Sequence, residues 1–392
     1  MRLRLRTSNV QPIAIDLGWS SIKLLQLEDE AISATTAISF PEGIEDDLEA
    51  RVGILQSGMR DAMGSGRFKG RSVAVAMPAY CTLLQAMQLE RSAQMDLELA
   101  MRAKLPPTDD EWMVRAIEVD TSGSVHRDVI CQAMPRSVVL RHVEALHHLG
   151  LDVVGVVAQP LPMVAAFDHV NRRVEDGDIG TMYVDIGAGG TTCVIARGRE
   201  IVQARSISVG GRHMDDCLAQ SLKCDVIEAR KNRVSWSPVA PKTPSATPLA
   251  VPQGAEEGGG MLVLDRRGEG VVPSLDPVAS GSTMSDMLGP IRPVIGQLTD
   301  ELRLCIRQHQ DRWPDQRVDR VVFTGGEARL DWLCRDIVQS LHLAGQVGDP
   351  LAAMQPLPGL VQEQNPDEAR PHWALVAGLA SMQTGGRRRG SR

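Results

Sequence analysis

Two segments of the chain, residues 13–21 and 182–192, repeat one pattern. In each, an apolar strand delivers an aspartate, Asp16 or Asp185, followed by one residue, a glycine, small or hydroxyl residues and a second apolar strand. Glycines and hydroxyl groups at such a turn let main-chain N–H groups approach phosphate oxygens, and the aspartate is suited to hold a hydrated Mg²⁺ ion. One such turn is a weak signal because Asp-x-Gly is common in ordinary β-turns. Two copies at corresponding places predict a duplicated fold that holds a nucleotide between its halves.

The composition is that of a soluble globular protein with two domains. The 392 residues include 43% hydrophobic and 23% charged residues, enough to build two cores of ordinary size. A net charge of −7 argues against a nucleic-acid-binding surface over the whole protein, so no nucleic-acid partner is expected. No run of about 18 apolar residues occurs, and the seven cysteines form no C-x-x-C pair. We therefore expect a cytoplasmic protein without a membrane span, with buried thiols rather than disulfides.

Periodicity and composition divide the chain into two halves. Each half begins with the repeated pattern, and the first half carries an inserted α/β lobe. Closely spaced prolines followed by a glutamate- and glycine-rich run mark an insertion in the second half that cannot bury enough apolar surface to become ordered. The expected divisions are a flexible terminus at 1–12, a first half at 13–170 with its lobe at about 78–135, a second half at 171–382 with a disordered insertion at about 235–289, and a basic flexible tail at 383–392.

Three shorter segments give more specific expectations. Residues 153–158 are continuously apolar, which predicts a strand that is buried on both faces. After the insertion, helical spacing of apolar residues predicts a helix from about 291 to 313. Within the insertion, the apolar residues 261–264 are expected either to be mobile with the rest or to pair as an edge strand or dock a partner.

A third element, residues 321–330, is an apolar strand that ends in Gly325 and Gly326 and leads into a helix. A double glycine at that place brings the main chain flat against a planar ring or a ribose. The three elements, in this order, resemble the phosphate-one, phosphate-two and adenosine motifs of the actin, hexokinase and heat-shock-chaperone ATPase superfamily.

Within that superfamily the chain resembles the PilM family of type IV pilus assembly proteins, which is related to the cell-division protein FtsA. The resemblance runs from about residue 11 to 382, apart from the insertion. It depends on the segments 14–23, 149–151, 209–211, 324–330 and 376–380 and on the place of the inserted lobe. It implies an α/β, actin-like fold with ribonuclease H-like duplicated βββαβα halves and an FtsA/PilM-type inserted small lobe.

The resemblance also implies that ATP and Mg²⁺ bind between the halves. Asp16 and Asp185 would lie on opposite sides of the cleft and hold Mg²⁺ through water. Lys23 either reaches a phosphate as a point charge or is a solvent-facing lysine of a strand. The phosphates would be bound by Gly18, Ser20 and Ser21 of the first turn and by Gly187, Gly189, Gly190, Thr191 and Thr192 of the second. Gly210 and Gly211 would begin a helix near the nucleotide, and Gly325, Gly326 and Arg329 would pack on adenosine.

One departure from the superfamily concerns hydrolysis. Where chaperone ATPases carry a Glu-Pro pair that helps to orient the attacking water, this chain has Gln159 and Pro160. A glutamine can position water but cannot accept its proton, so hydrolysis is expected to be slow or absent, with Gln159 and Asp185 positioning water and metal. Residues 228–233 match only loosely the helix that contacts adenine and ribose in relatives.

The implied function is that of a cytoplasmic scaffold in type IV pilus or type II secretion assembly. Its partner would be a short cytoplasmic peptide of an inner-membrane PilN-like protein, so the membrane would be reached only through that partner. The resemblance also leaves self-association of the protein open. Two alternatives stay open: a small-molecule kinase of the same superfamily, and an FtsA-like polymer-forming protein. His147 and His148 are expected to be a solvated pair rather than metal ligands.

Overall fold

The computed structural model describes residues 9–44, 47–90, 96–119, 126–170, 177–235, 282–357 and 369–385, without the side chains of 282–287, 384 and 385. The first half contains β1 (Ile13–Leu17), β2 (Ser21–Glu28), β3 (Ala31–Ser39), α1 (Leu48–Gly64), β4 (Ser72–Ala76), β5 (Leu83–Glu90), α2 (Leu97–Arg102), β6 (Trp112–Val119), β7 (His126–Pro135), α3 (Arg136–His147), β8 (Asp152–Val157) and α4 (Pro160–Ala165). The second half contains β9 (Gly180–Ile186), β10 (Thr191–Arg197), β11 (Glu200–Ile207), α5 (Gly211–Leu222), α6 (Val226–Ser235), α7 (Ser282–Arg312), β12 (Arg320–Thr324), α8 (Asp331–Leu341), β13 (Ala344–Val347) and α9 (Ala374–Gly385).

Each half is built on a five-stranded sheet, and the two sheets have the same topology. The strand order is β3-β2-β1-β4-β8 in the first and β11-β10-β9-β12-β13 in the second. In both sheets the first three strands are antiparallel and the last two run parallel to the first strand of the half. The duplication that the two aspartate-containing turns predict is therefore confirmed. Both turns lie at the same end of their sheets, because each joins the first two strands of its half.

A small lobe is inserted between β4 and α3. Its three strands form an antiparallel sheet in the order β5-β7-β6, and α2 packs against β6. A separate small core holds it together, formed by Met87, Met101, Val114, Val129 and Cys131 among others. The lobe therefore has a small core of its own, with β5 and β6 as its edges, and its other face, with Leu84, Val119 and Ile130, joins the core of the second half.

The last helix, α9, packs on the first half although it follows the second half in the chain. Ala377 and Val376 share a buried cluster with Ala14 of β1 and Ala74 of β4. A Cβ at Gly378 would lie 1.7 Å from the main-chain oxygen of Pro162, so α9 and α4 cross with their backbones in contact. The first sheet is thus covered on one face by α1 and α3 and on the other by α9.

Two expectations about single elements are wrong. β8 is an edge strand rather than a strand buried on both faces: among the strands that the structure describes it pairs with β4 alone, and Val154 is 54% exposed. The helix expected from about 291 begins at Ser282 and continues through Pro290 and Pro293, where a missing N–H and a steric clash ordinarily end a helix. Residues 236–281 of the expected insertion, 261–264 among them, and residues 386–392 of the expected tail at 383–392 lie outside the described residues, while 383–385 belong to α9.

Among the described residues, no helix has the length and apolar character needed to cross a membrane. All seven cysteines are free thiols, four of them buried.

Candidate functional site

The first turn, between β1 and β2, is closed by its own main chain. The N–H of Gly18 donates to the carbonyl of Ser21 at 3.0 Å. A Cβ at Gly18 would lie 2.7 Å from that same oxygen, closer than real Cβ atoms come, so the turn requires glycine. Ser20 and Ser21 complete it and are partly exposed.

Asp16, at the end of β1, is buried beside Lys23. The two residues are opposite each other in the β1–β2 register, and the Lys23 Nζ lies 3.3 Å from one carboxylate oxygen. The Lys23 side chain is only 12% exposed, so it does not face solvent. Burial raises the pKa of Asp16, while the charge of Lys23 lowers it. The other oxygen, Oδ1, is buried and has no hydrogen-bond partner within the described structure.

The second turn, between β9 and β10, is held by the start of α5. The N–H of Gly187 donates to Gly190, and the N–H groups of Gly211 and Arg212 donate to the carbonyls of Gly187 and Ala188. Because Gly210 has its Cα against this turn, an added Cβ would lie 2.5 to 2.7 Å from three main-chain atoms of residues 187–190. The sequence-predicted Gly210 and Gly211 therefore dock α5 onto the second turn.

Asp185, at the end of β9, is the counterpart of Asp16. It is buried, and Thr324 at the end of β12 donates a hydrogen bond to it at 3.0 Å. Burial, and next the negative charge of Asp16, raise the pKa of Asp185 to about 6. The negative charge of Asp16 thus acts on Asp185, and the charge of Lys23 lowers the pKa of both predicted carboxyls.

This pair fits a hydrated divalent cation. The negative charge of Asp16 disfavours the ionised form of Asp185, and the Oδ1 of Asp16 is buried without a donor, which a water molecule on Mg²⁺ would supply. Within the described part of the chain, no group of three His, Cys, Asp or Glu residues is arranged for direct metal ligation. The two aspartates offer carboxylate oxygens from both halves to a hydrated ion.

Gln159, Thr191 and Thr192 make contacts within the protein. Thr191 donates to the carbonyl of Val209 at 2.7 Å, and Thr192 donates to the side-chain oxygen of Gln159. Thr192 also lies opposite Asp185 in the strand register. Both hydroxyl groups are buried, so they support the second turn from within; a role in binding phosphate stays a prediction.

The double glycine after β12 leaves an open surface. Gly325 has a φ of +90°, and a Cβ there would lie 2.4 Å from the carbonyl of Ile186, so this glycine lets β12 turn tightly over β9. Gly326 is exposed, with nothing within 4 Å of an added Cβ. Arg329 is exposed nearby, and its charge is among those that lower the pKa of His372, after burial and Lys23, to about 4.

Two buried arginines support the site and were not foreseen from the sequence. Arg51 of α1 donates to the carbonyls of Gly18 and Trp19 at 2.8 and 2.9 Å and so holds the first turn from behind. Arg233 of α6 is 1% exposed and bonds to Asp215 at 2.6 Å and to Glu327 at 2.5 Å.

The Arg233 cluster ties α5, α6 and the turn after β12 into one unit. Residues 228–233 gave a loose signal for this helix, whereas nothing in the sequence around Arg51 distinguishes it from an exposed helical arginine. Arg51 donates hydrogen bonds to two main-chain carbonyls, and Arg233 neutralises two carboxylates. Only the tertiary fold brings these partners to the two arginines.

Comparison with solved structures identifies proteins that are similar to this one in fold. The PilM-PilN type IV pilus biogenesis complex matches with a TM-score of 0.71 and 19% identity, over 95% of this chain and 98% of that chain. The ethanolamine utilization protein EutJ from Carboxydothermus hydrogenoformans matches at 0.49 with 16% identity over 95% and 89%. MreB5 of Spiroplasma citri bound to ADP also matches at 0.49, with 13% identity over 97% and 98%. No family model and no curated protein matches the sequence.

The duplicated five-stranded sheets, each with an aspartate-containing turn, form an actin-like fold. The particular form of the fold is PilM-like, because the match to the PilM-PilN complex covers 95% of this chain and 98% of that chain. The sequence-based expectation of this fold and of the PilM resemblance is therefore confirmed.

Proposed function

We propose that the protein is a cytoplasmic, ATP- and Mg²⁺-binding scaffold of type IV pilus assembly or a related secretion system. This proposal depends on the pair Asp16 and Asp185, which come from matching turns of the two halves. The Oδ1 of Asp16 is buried and has no hydrogen-bond donor within the described structure. Bound Mg²⁺ would supply positive charge to a polyphosphate, and both aspartates would hold it through water. The main-chain N–H groups of the two glycine turns would contact the phosphates, and the open surface at Gly326 would face the base or ribose.

Gln159 supports slow or absent hydrolysis. Its amide is buried, accepts a hydrogen bond from Thr192 and has no carboxylate with which to take a proton from water. The kinase alternative needs such a base as well. A turnover faster than about one per second by purified protein, abolished by Gln159→Ala, would contradict this part of the proposal.

Nucleotide binding is tested by calorimetry on the full chain with Mg²⁺ and ATP. We expect binding by the unmodified protein, and loss of its Mg²⁺ dependence in Asp16→Asn. The matched control is Asp311→Asn, which removes an exposed carboxylate of α7 and should leave binding unchanged. Absence of heat beyond dilution for the unmodified protein would refute the proposal.

A cleft beside the small lobe is our candidate for the partner site. The edge strands β5 and β11 lie side by side without joining their sheets. The Ser206 hydroxyl bridges them, because it accepts a hydrogen bond from the Leu84 N–H at 3.1 Å and donates one to the Thr82 carbonyl at 2.8 Å. Beyond this bridge lies a cavity of about 290 Å³ lined by both strands. Main-chain groups alternate along a strand, so Ala86 presents its own to the same edge as Leu84.

An extended peptide that adds a strand to this edge suits the short cytoplasmic tail of an inner-membrane, PilN-like protein. The PilM structure that this fold matches is a complex with PilN. The protein would then reach the inner membrane only through this partner.

The partner proposal is tested by affinity capture from detergent-solubilised inner membranes, with and without MgATP. We expect recovery of a single-span protein with a short cytoplasmic tail. Ala86→Pro removes the N–H that an added strand needs and should abolish capture, whereas Ala86→Ser keeps it and should not. Equal capture by the two variants would exclude the β5 edge, and sedimentation with MgATP in the same samples would reveal polymers of the FtsA-like alternative.

A further inference from the structure

The indole of Trp19 fills the gap between the two turns. Trp19 belongs to the first turn, directly after Gly18. A Cβ at Gly189 of the second turn would lie 2.3 Å from the indole Cε3 and 2.7 Å from Cδ2. The indole therefore occupies the space that a Cβ at position 189 would need, and this glycine is required by an aromatic side chain from the opposite half.

The ring is held in this place from several sides. Arg51 donates to the Trp19 carbonyl, and the edge of the Tyr80 ring packs on the indole at a centroid distance of 5.0 Å. The guanidinium of Arg212, at the start of α5, lies 5.6 Å from the indole centroid, within the range of a cation–π interaction. The indole thus makes specific contacts with both halves and is a fixed part of the site.

A terminal phosphate would need the same space. The rest of the first turn is small, with glycine and serine on either side of Trp19, as a phosphate-binding turn requires. A phosphate gripped by both turns must come within hydrogen-bond distance of main-chain N–H groups around Gly18 and Gly189. The indole takes the space beside the Gly189 Cα, so a diphosphate held by the first turn would leave the ring in place, while a third phosphate that also reached the second turn would meet it.

We propose that Trp19 determines which nucleotide the site accepts: with the ring on Gly189 the site takes a nucleoside diphosphate, and a triphosphate enters only when the indole leaves Gly189. This inference rests on the proposed nucleotide binding and deepens it. Since entry of the third phosphate costs the contacts with Gly189, Tyr80 and Arg212, the preference for diphosphate is expected to be about tenfold.

The test is calorimetry of the full chain with MgADP and with the non-hydrolysable MgAMPPNP. The unmodified protein should bind MgADP about tenfold more tightly, and Trp19→Ser should bind both nucleotides within about twofold of each other. Trp112→Phe, in the small lobe, is the control and should keep the tenfold preference. Binding with the same ratio in Trp19→Ser as in the unmodified protein would overturn the role of Trp19 alone, whereas no binding of either nucleotide by any variant would overturn the proposed function with it.

A second measurement needs no nucleotide. Gly189→Ala places a methyl group where the ring lies, so the indole must move out and its fluorescence emission should shift toward that of an exposed tryptophan. The same change in a Trp19→Ser background should leave emission and thermal stability close to those of the single Trp19→Ser variant. An equal destabilisation by Gly189→Ala in both backgrounds would show that the glycine serves the turn itself and would refute the contact on which the inference depends.

Discussion

Replacing Asp185 with asparagine is expected to stabilise the nucleotide-free protein at neutral pH. The folded protein raises the pKa of this carboxyl from 3.8 to about 6, through burial first and the Asp16 charge second. Each tenfold change in acid dissociation corresponds to about 1.4 kcal/mol, so ionised Asp185 costs the folded state about 3 kcal/mol. Asparagine removes the charge and keeps an oxygen that accepts from Thr324.

The sign of the pH dependence follows from the raised pKa. Below about pH 3.8 the carboxyl is neutral in both the folded and the unfolded chain, so the penalty is absent and Asp185→Asn should have little effect. As pH rises from about 4 to 6 the unfolded chain ionises first, and the unmodified protein loses stability relative to the variant. Above about pH 6 the advantage of the variant should stay constant at about 3 kcal/mol.

The assay is urea unfolding of both proteins at intervals from pH 4 to pH 8, without Mg²⁺ or nucleotide. Asp311→Asn is the control for loss of one exposed carboxylate and should show no comparable gain at any pH. A stability difference that is independent of pH, or an Asp185→Asn protein that is less stable at pH 7.5, would refute the electrostatic account of the paired aspartates.

Three further substitutions, one of them with a matched control, test packing in the protein by thermal or urea unfolding and by calorimetry. Gly378→Ala should lower the free energy of unfolding by at least about 2 kcal/mol, because the added methyl group has no room against Pro162. The control Gly296→Ala in α7 has open space and should raise it by up to about 1 kcal/mol. Equal effects of the two substitutions would contradict the contact between α9 and α4. Arg233→Met should cost about 3–5 kcal/mol by leaving two buried carboxylates unpaired, and a neutral result would show that they are solvated. Arg51→Lys should weaken MgADP binding about tenfold, since one ammonium group cannot hold two carbonyls of the first turn in the guanidinium geometry; unchanged affinity would remove Arg51 from the support of the turn.

The sequence predicted those parts of the site that are encoded locally. A glycine at 18 or 325 is demanded by atoms a few residues away or on the adjacent strand, and the aspartates occupy fixed places at strand ends. Such constraints leave a short pattern that can be read without the fold. The duplication made the prediction more specific, because two weak patterns at corresponding positions rarely occur together by chance.

The features that sequence missed depend on distant partners. The pair Arg233 and Glu327 is separated by 94 residues, and Arg51 reaches back 33 residues to Gly18, so neither partner is visible from local spacing. β8 was misplaced because an apolar strand reads the same at the edge of a sheet as at its centre. The start of α7 was missed because Pro290 and Pro293 favour a helix boundary locally, while packing against the second sheet continues the helix through them.

The path of α9 has a consequence for how the chain is made. One face of the first sheet carries Ala14, Ala74 and Ala76, and the residues that cover it are Trp373, Val376 and their neighbours. During synthesis on the ribosome, this face of the sheet remains exposed to water until the second half has been translated. The core of the first half is therefore completed only when α9 has been made, and a chain released before α9 would expose this apolar sheet face to chaperones and proteases.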